Sequence, residues 1–194
     1  MAKMESSFKN MLLVLFIITF VAGFALSGVY NITKEPIAKS KLAKKIAALN
    51  TVLPEFDTVI SLEAALPEEK PVELSIAIKN HDTVGYAVET YTSLGFGGNI
   101  RAMVGFEPDG TIIDVVHLEH SETPGLGDKI EKSKSSWSDQ FKGKNPETFK
   151  LIVKKDGGDV DAITAATITS RAYSDAITRA YKIVKAQKGE NNDE

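Results

Sequence analysis

Asp161-Ala-Ile-Thr-Ala-Ala-Thr-Ile-Thr-Ser170 is small, hydroxyl-rich and uncharged after Asp161. Directly behind it, Ala172, Tyr173, Ala176, Ile177, Ala180, Tyr181 and Val184 recur at the i, i+3 and i, i+4 spacing of an amphipathic helix. The stretch therefore stands at a helix start. Backbone N–H groups lack an internal partner there and the helix dipole favours negative charge. Such a start suits a phosphate. Ala162, Ala165 and Ala166 would let a bulky ligand approach the backbone, and Arg171 could add a charge-assisted hydrogen bond. Taken by itself the pattern is also met by Thr167 or Thr169 acting as a helix cap.

Asp161-x-x-Thr164-Ala165-Ala166-Thr167 resembles the flavinylation motif of two related membrane-anchored FMN-binding proteins. One is the G subunit of the Rnf electron-transport complex; the other is the C subunit of the sodium-translocating NADH:quinone reductase. The resemblance implies covalent FMN on Thr167 through a phosphoester installed by a separate flavin transferase, with Thr164, Ala165, Ala166 and Thr169 around it. Ala165 stands where the motif usually has glycine; glycine is needed there only if the backbone takes a positive φ. A second element, Glu122-Thr123-Pro124-Gly125-Leu126-Gly127-Asp128, is similar to the loop that lines the flavin ring pocket in the same proteins. By residue chemistry alone it is a tight turn whose glycines admit close backbone approach and whose proline stiffens it. Leu94-Gly-Phe-Gly-Gly-Asn99 resembles a third family segment. It lacks the lysine of a nucleotide P-loop, so it is expected only to contribute lining from a wide hairpin connection.

The chain has 194 residues and a net charge of −3, so one compact domain with appendages is expected and no basic surface points to nucleic acid. It has no cysteine, which excludes disulfides, thiolate metal sites and cysteine nucleophiles, and leaves redox chemistry to a borrowed cofactor. No Gly-x-Ser-x-Gly elbow supports a hydrolase. His117, Glu119, His120 and Glu122 suggest a metal, but on a strand His117 and His120 face opposite ways, so no protein-bound metal is expected.

Residues 11–30 carry no charge, and twenty helical residues span about 30 Å, the thickness of a bilayer core. Their Leu, Ile, Val and Phe residues contribute about −4 to −7 kcal/mol to insertion. The stretch is longer than a signal-peptide core of about 7–15 residues, which favours an uncleaved anchor. Thr19, Gly23 and Ser27 make a small-residue stripe of the kind that lets membrane helices pack. Lys3 and Lys9 precede the span, and Lys34, Lys39, Lys41, Lys44 and Lys45 follow it. That balance favours a cytoplasmic C-terminal domain, whereas the resemblance places a flavin domain outside the cytoplasmic (inner) membrane.

The expected organisation is an N-terminal segment 1–10, a transmembrane helix 11–30, a juxtamembrane helix and connector 31–71, an FMN-binding domain 72–188 and an acidic tail 189–194. Within the domain, alternation predicts strands at Glu73–Lys79, Val84–Thr92, Arg101–Phe106 and Thr111–Leu118, with Asp109-Gly110 as a hairpin turn. A helix over Lys129–Phe141 and a strand over Phe149–Val153 follow, then a last helix over Ser170–Lys188. The fold class is α+β, a twisted antiparallel sheet with helices on one side. The resemblance implies an electron-transfer subunit of an Rnf-type ferredoxin:NAD oxidoreductase that translocates ions, working with other membrane subunits rather than as a stand-alone catalyst. A quinone-reductase component, a membrane-anchored scaffold and a non-covalent FMN sensor are the alternatives.

Overall fold

A computed structural model describes residues 7–67 and 70–190. Lys3, most of the expected segment 1–10 and most of the acidic tail lie outside them. The chain divides into two compact units, Met1–Ala43 and Lys44–Glu194.

The first unit is helical. The transmembrane helix expected over 11–30 and the juxtamembrane helix expected within 31–71 belong to one element, α1 (Phe8–Val52), with Pro36 inside it. Its most apolar window is wholly unburied by the protein itself. Phe16, Phe20, Phe24 and Leu26 are each more than half exposed, a surface that water penalises and lipid does not. Thr19 donates its hydroxyl to Leu15 O at 2.9 Å, and Thr33 to Val29 O at 2.8 Å. Both polar groups are thereby satisfied within the helix, as a hydrocarbon surround requires.

The second unit is built on a five-stranded antiparallel sheet in simple meander order. Its strands are β1 (Thr58–Ala64), β2 (Val72–Lys79), β3 (Asp82–Gly95), β4 (Gly98–Phe106) and β5 (Ile112–Glu119). The four expected strands are present. The segment 31–71, expected to hold only a juxtamembrane helix and a connector, also holds β1, an edge strand in register with β2 through Ile60↔Ile76 and Leu62↔Leu74. At Asp109-Gly110 the chain turns with three residues between Glu107 and Thr111. Gly110 sits at φ +96°, and Asp109 accepts hydrogen bonds from the Thr111 N–H and hydroxyl. This is a type I turn closed by a left-handed glycine.

Alternation along the strands makes two apolar faces. Leu74, Tyr86, Val88, Ile100, Ala102, Val104 and Phe106 face α2 (Thr167–Glu190), which supplies Ala172, Tyr173, Ile177, Ala180 and Val184. Ala77, Ala87 and Met103 face the other way, against Ala48, Val52 and Leu53. Helical residues therefore cover both faces rather than one. Gly105 makes this possible, since a Cβ there would lie 1.8 Å from Val52 O. Two further expectations are corrected. Lys129–Phe141 is not one helix but two 3-10 turns, Gly127–Ile130 and Trp137–Phe141. The intervening Lys132-Ser-Lys-Ser-Ser136 run holds three serines, which compete for backbone hydrogen bonds, and Ser135 Oγ accepts the Trp137 N–H at 3.1 Å. Phe149–Val153 is not a strand; only Val153 bridges, in parallel, to Val160.

Candidate functional site

Three segments distant in sequence meet at one end of the sheet: the β3–β4 hairpin tip, the loop after β5 and the start of α2. Glu122 joins them. Its side chain is buried, and its Oε1 accepts the Gly97 N–H at 2.9 Å while its Oε2 accepts the Thr169 hydroxyl. Its own N–H donates to His120 Nδ1 at 3.1 Å. Glycines make room for this carboxylate. A Cβ at Gly95 or at Gly127 would come within 2.7 Å of it, and one at Gly97 within 1.9 Å of Ser121 O. Gly127 thus serves packing within the protein. Gly125 serves the turn, with φ +78° and open space where a Cβ would be. The turn closes on Thr123 O, which accepts the N–H groups of Leu126 at 3.2 Å and Gly127 at 3.1 Å. The hairpin tip is tight, with Gly95 opposite Gly98 and only Phe96 and Gly97 between them, not the wide connection expected.

The hydroxyl-rich stretch is a turn running into a helix, which begins at Thr167. Ala166 N–H donates to Ile163 O at 3.0 Å, and Ala165 takes φ +64°. A positive φ at the third residue of an i to i+3 turn is the type II arrangement that favours glycine. Ser170 locks the turn from behind: its Oγ accepts the Ile163 N–H at 2.9 Å and donates to Ala166 O at 3.0 Å. Alanine therefore occupies the left-handed region at a cost of about 1–2 kcal/mol. Ala165→Gly removes that cost and returns about 0.4–1 kcal/mol through the freer unfolded chain. The net gain is about 0–1.6 kcal/mol, so the variant is expected to melt up to about 6 °C higher in a thermal scan, and a midpoint about 1–4 °C lower would show that the left-handed alanine carries no strain.

Between the three segments lies a cavity of ≈ 320 Å³ lined by Phe96, Glu122, Thr123, Leu126, Gly127, Ala165, Ala166, Thr167, Ile168 and Thr169. That volume is in the range of small-ligand sites. Most of the sequence candidates are on its wall; Thr164, Pro124 and Gly125 are not. Phe96, expected only as possible lining, is on it. Ile168 is the wall residue that sequence reasoning misses, masked by the helical pattern that follows it. The hydroxyls separate by environment. Those of Thr169 and Ser170 are engaged within the protein, and Thr164 is exposed off the wall, whereas Thr167 is half-buried on the wall at the helix start. Arg171 does not turn to the cavity. It grips Asp156 with two hydrogen bonds, at 2.6 and 2.9 Å, and its guanidinium holds the Asp156 carboxyl below the ordinary carboxylate range. An anion at Thr167 would therefore be met by the unpaired N–H groups of the first turn of α2.

A larger depression of ≈ 840 Å³ lies over Lys45, Glu73, Glu89 and Arg101. Those four charges satisfy one another. Lys45 contacts Glu73 at 2.5 Å and Glu89 at 2.9 Å, and Arg101 pairs with Glu89. The cavity at α2 is the better ligand site, because it joins an apolar wall to an unsatisfied helix start.

The FMN-binding domain family matches residues 95–182. A protein of Shewanella amazonensis, described as the G subunit of an ion-translocating oxidoreductase complex, is 36% identical over 96% of this chain and 92% of its own length. The chain belongs to this G-subunit family. A member from Aliivibrio fischeri is 33% identical over 96% of this chain and 95% of its own length, and one from Pasteurella multocida is 40% identical over 75% and 78%. In this member of the family the FMN-binding match opens at Gly95 and closes in α2, so it spans every segment that walls the cavity.

Proposed function

We propose that the cavity holds the isoalloxazine ring of FMN, that Thr167 carries the FMN phosphate as an ester, and that the chain relays electrons within an ion-translocating oxidoreductase complex. The single observation that carries this reading is the half-buried Thr167 at the first turn of α2, on the wall of a small-ligand cavity, inside the stretch matched as an FMN-binding domain. The donor set fits the group. The helix start offers N–H groups to phosphate oxygens, and Phe96, Leu126 and Ile168 offer an apolar wall to a flat ring. FMN supplies the redox chemistry. The chain's residues hold it: Thr167 tethers, the turn Ile163–Ala166 presents Thr167, and Glu122 fixes the walls against each other. A tether suits a protein that must keep its cofactor through many electron transfers.

The buried Thr169 hydroxyl and Glu122 carboxylate on the cavity wall are committed to each other and to the Gly97 N–H, which favours an electron carrier over a stand-alone catalyst. Coverage of 92% and 95% of two G-subunit relatives favours that assignment over the quinone-reductase component. The partners are then other membrane subunits, and maturation requires a flavin transferase. Anaerobic titration of the FMN-loaded chain tests the reading. Stepwise reductant should bleach the flavin absorbance, and a redox dye should restore it, with no organic substrate consumed. A flavin that is not reversibly reduced would overturn it.

We further propose that α1 crosses the cytoplasmic membrane once and that Lys44–Glu194 faces outward, against the lysine balance. Large domains are translocated largely regardless of nearby charge. Protease added to cells stripped of wall or outer membrane should then digest the domain. Full protection, with digestion only after lysis, would place it in the cytoplasm.

A further inference from the structure

We infer that His117, His120 and Glu131 form a binding site for a first-row divalent metal of the zinc class, separate from the FMN cavity. The sequence expectation of no metal rests on His117 and His120 facing opposite ways along one strand. The strand ends too early for that. β5 stops at Glu119, and His120 turns in the following loop until the two imidazoles stand 5.5 Å apart at 58°. Glu131, just beyond the Gly127–Ile130 turn, reaches both. Its Oε1 lies 2.9 Å from His120 Nε2 and its Oε2 3.9 Å from His117 Nε2. One ligand atom from each residue falls within 4.8 Å of the others. Little movement separates that spacing from a tetrahedral zinc shell with bonds of about 2.0–2.2 Å.

Two imidazole nitrogens and one carboxylate suit zinc, cobalt, nickel or copper, not magnesium or calcium, which prefer oxygen shells. The side chains are 18%, 11% and 23% exposed, so an ion could enter and keep a water as its remaining ligand. Outer contacts hold two of the three. Ser133 donates to Glu131 Oε2 at 3.1 Å, and the Glu122 N–H donates to His120 Nδ1. The second contact also limits affinity. Because Nδ1 accepts, the neutral His120 ring carries its proton on Nε2 and gives it to Glu131. A metal on Nε2 moves that ring proton to Nδ1, through solvent and with no net release. Nδ1 then opposes the Glu122 N–H, and that hydrogen bond is lost. Its loss leaves one donor facing another and weakens binding by at least roughly fivefold.

The test is calorimetric titration of Zn²⁺ into the full chain, tag-free, chelator-treated and in detergent, with Co²⁺ absorption as the report on geometry. His117→Gln and Glu131→Gln are measured beside it, and circular dichroism checks each fold. One ion per chain is expected, with the visible band of low-coordinate cobalt and affinity at least tenfold weaker in either variant. Absence of saturable binding by the wild type, or equal binding in a folded variant, would overturn the inference. Neither result depends on flavin, since the titration is run on chain made without the transferase.

Discussion

Thr167→Ala is expected to remove all covalent flavin from a chain that still folds. In the proposed reading the threonine oxygen is the tether; of the other described wall hydroxyls only Thr123 is uncommitted, and it lies in the loop after β5 rather than at the helix start. Thr169 lies on the wall but donates its hydroxyl to the buried Glu122 carboxylate, and Ser170 is spent on Ile163 N–H and Ala166 O. Thr164 is exposed and off the wall. The structural cost is small, because Thr167 is half-buried at a helix start where loss of a hydroxyl costs up to about 1 kcal/mol. Fluorescence of the chain in a denaturing gel, after co-production with a flavin transferase, should therefore vanish while the melting curve hardly moves. Thr167→Ser keeps an oxygen and should keep some adduct. A fluorescent Thr167→Ala band would move the tether to Thr164, Thr169 or Thr123.

Glu122→Ala is expected to damage the site and the fold together. The carboxylate touches both the hairpin tip and α2, through Gly97 and Thr169. Its removal leaves the Thr169 hydroxyl, which is 1% exposed, without its acceptor, and opens a void against Gly95 and Gly127. An orphaned buried donor costs about 1–3 kcal/mol, and the void adds to it. A loss of about 2–4 kcal/mol lowers the melting midpoint by roughly 4–16 °C. Flavin loading should fall as the walls separate. Glu122→Gln keeps the shape and an acceptor for the Gly97 N–H, and its amide can donate to the Thr169 oxygen, so most of the loss should be spared. Wild-type melting and loading in Glu122→Ala would show that the three segments hold without the carboxylate.

Some of this is open to a reader of the sequence and some is not. The strands β2 to β5 are legible because half-buried strands alternate, and α2 because its apolar residues keep a helical period. β1 is not, since none of its residues is fully buried and its sequence is framed by acids and prolines. Ile130, Trp137 and Phe141 mimic one helical face, yet the serine and lysine run between them yields only 3-10 turns. At the site, Thr167 and the loop from Glu122 to Gly127 can be picked out from local pattern. The structural part Glu122 plays cannot, because its partners lie 25 and 47 residues away. Nor can the pairing of His117 with His120, which depends on where β5 ends. The sequence poses the φ of Ala165 as a question about one missing glycine, and only the backbone answers it.

The most direct test is the intact mass of the full chain, co-produced with a flavin transferase that is shown to modify another substrate, followed by mass mapping of its peptides. A tether at Thr167 predicts a gain equal to one FMN less one water, located on the peptide that contains that residue. An unmodified chain, or an adduct on any other residue, would contradict it.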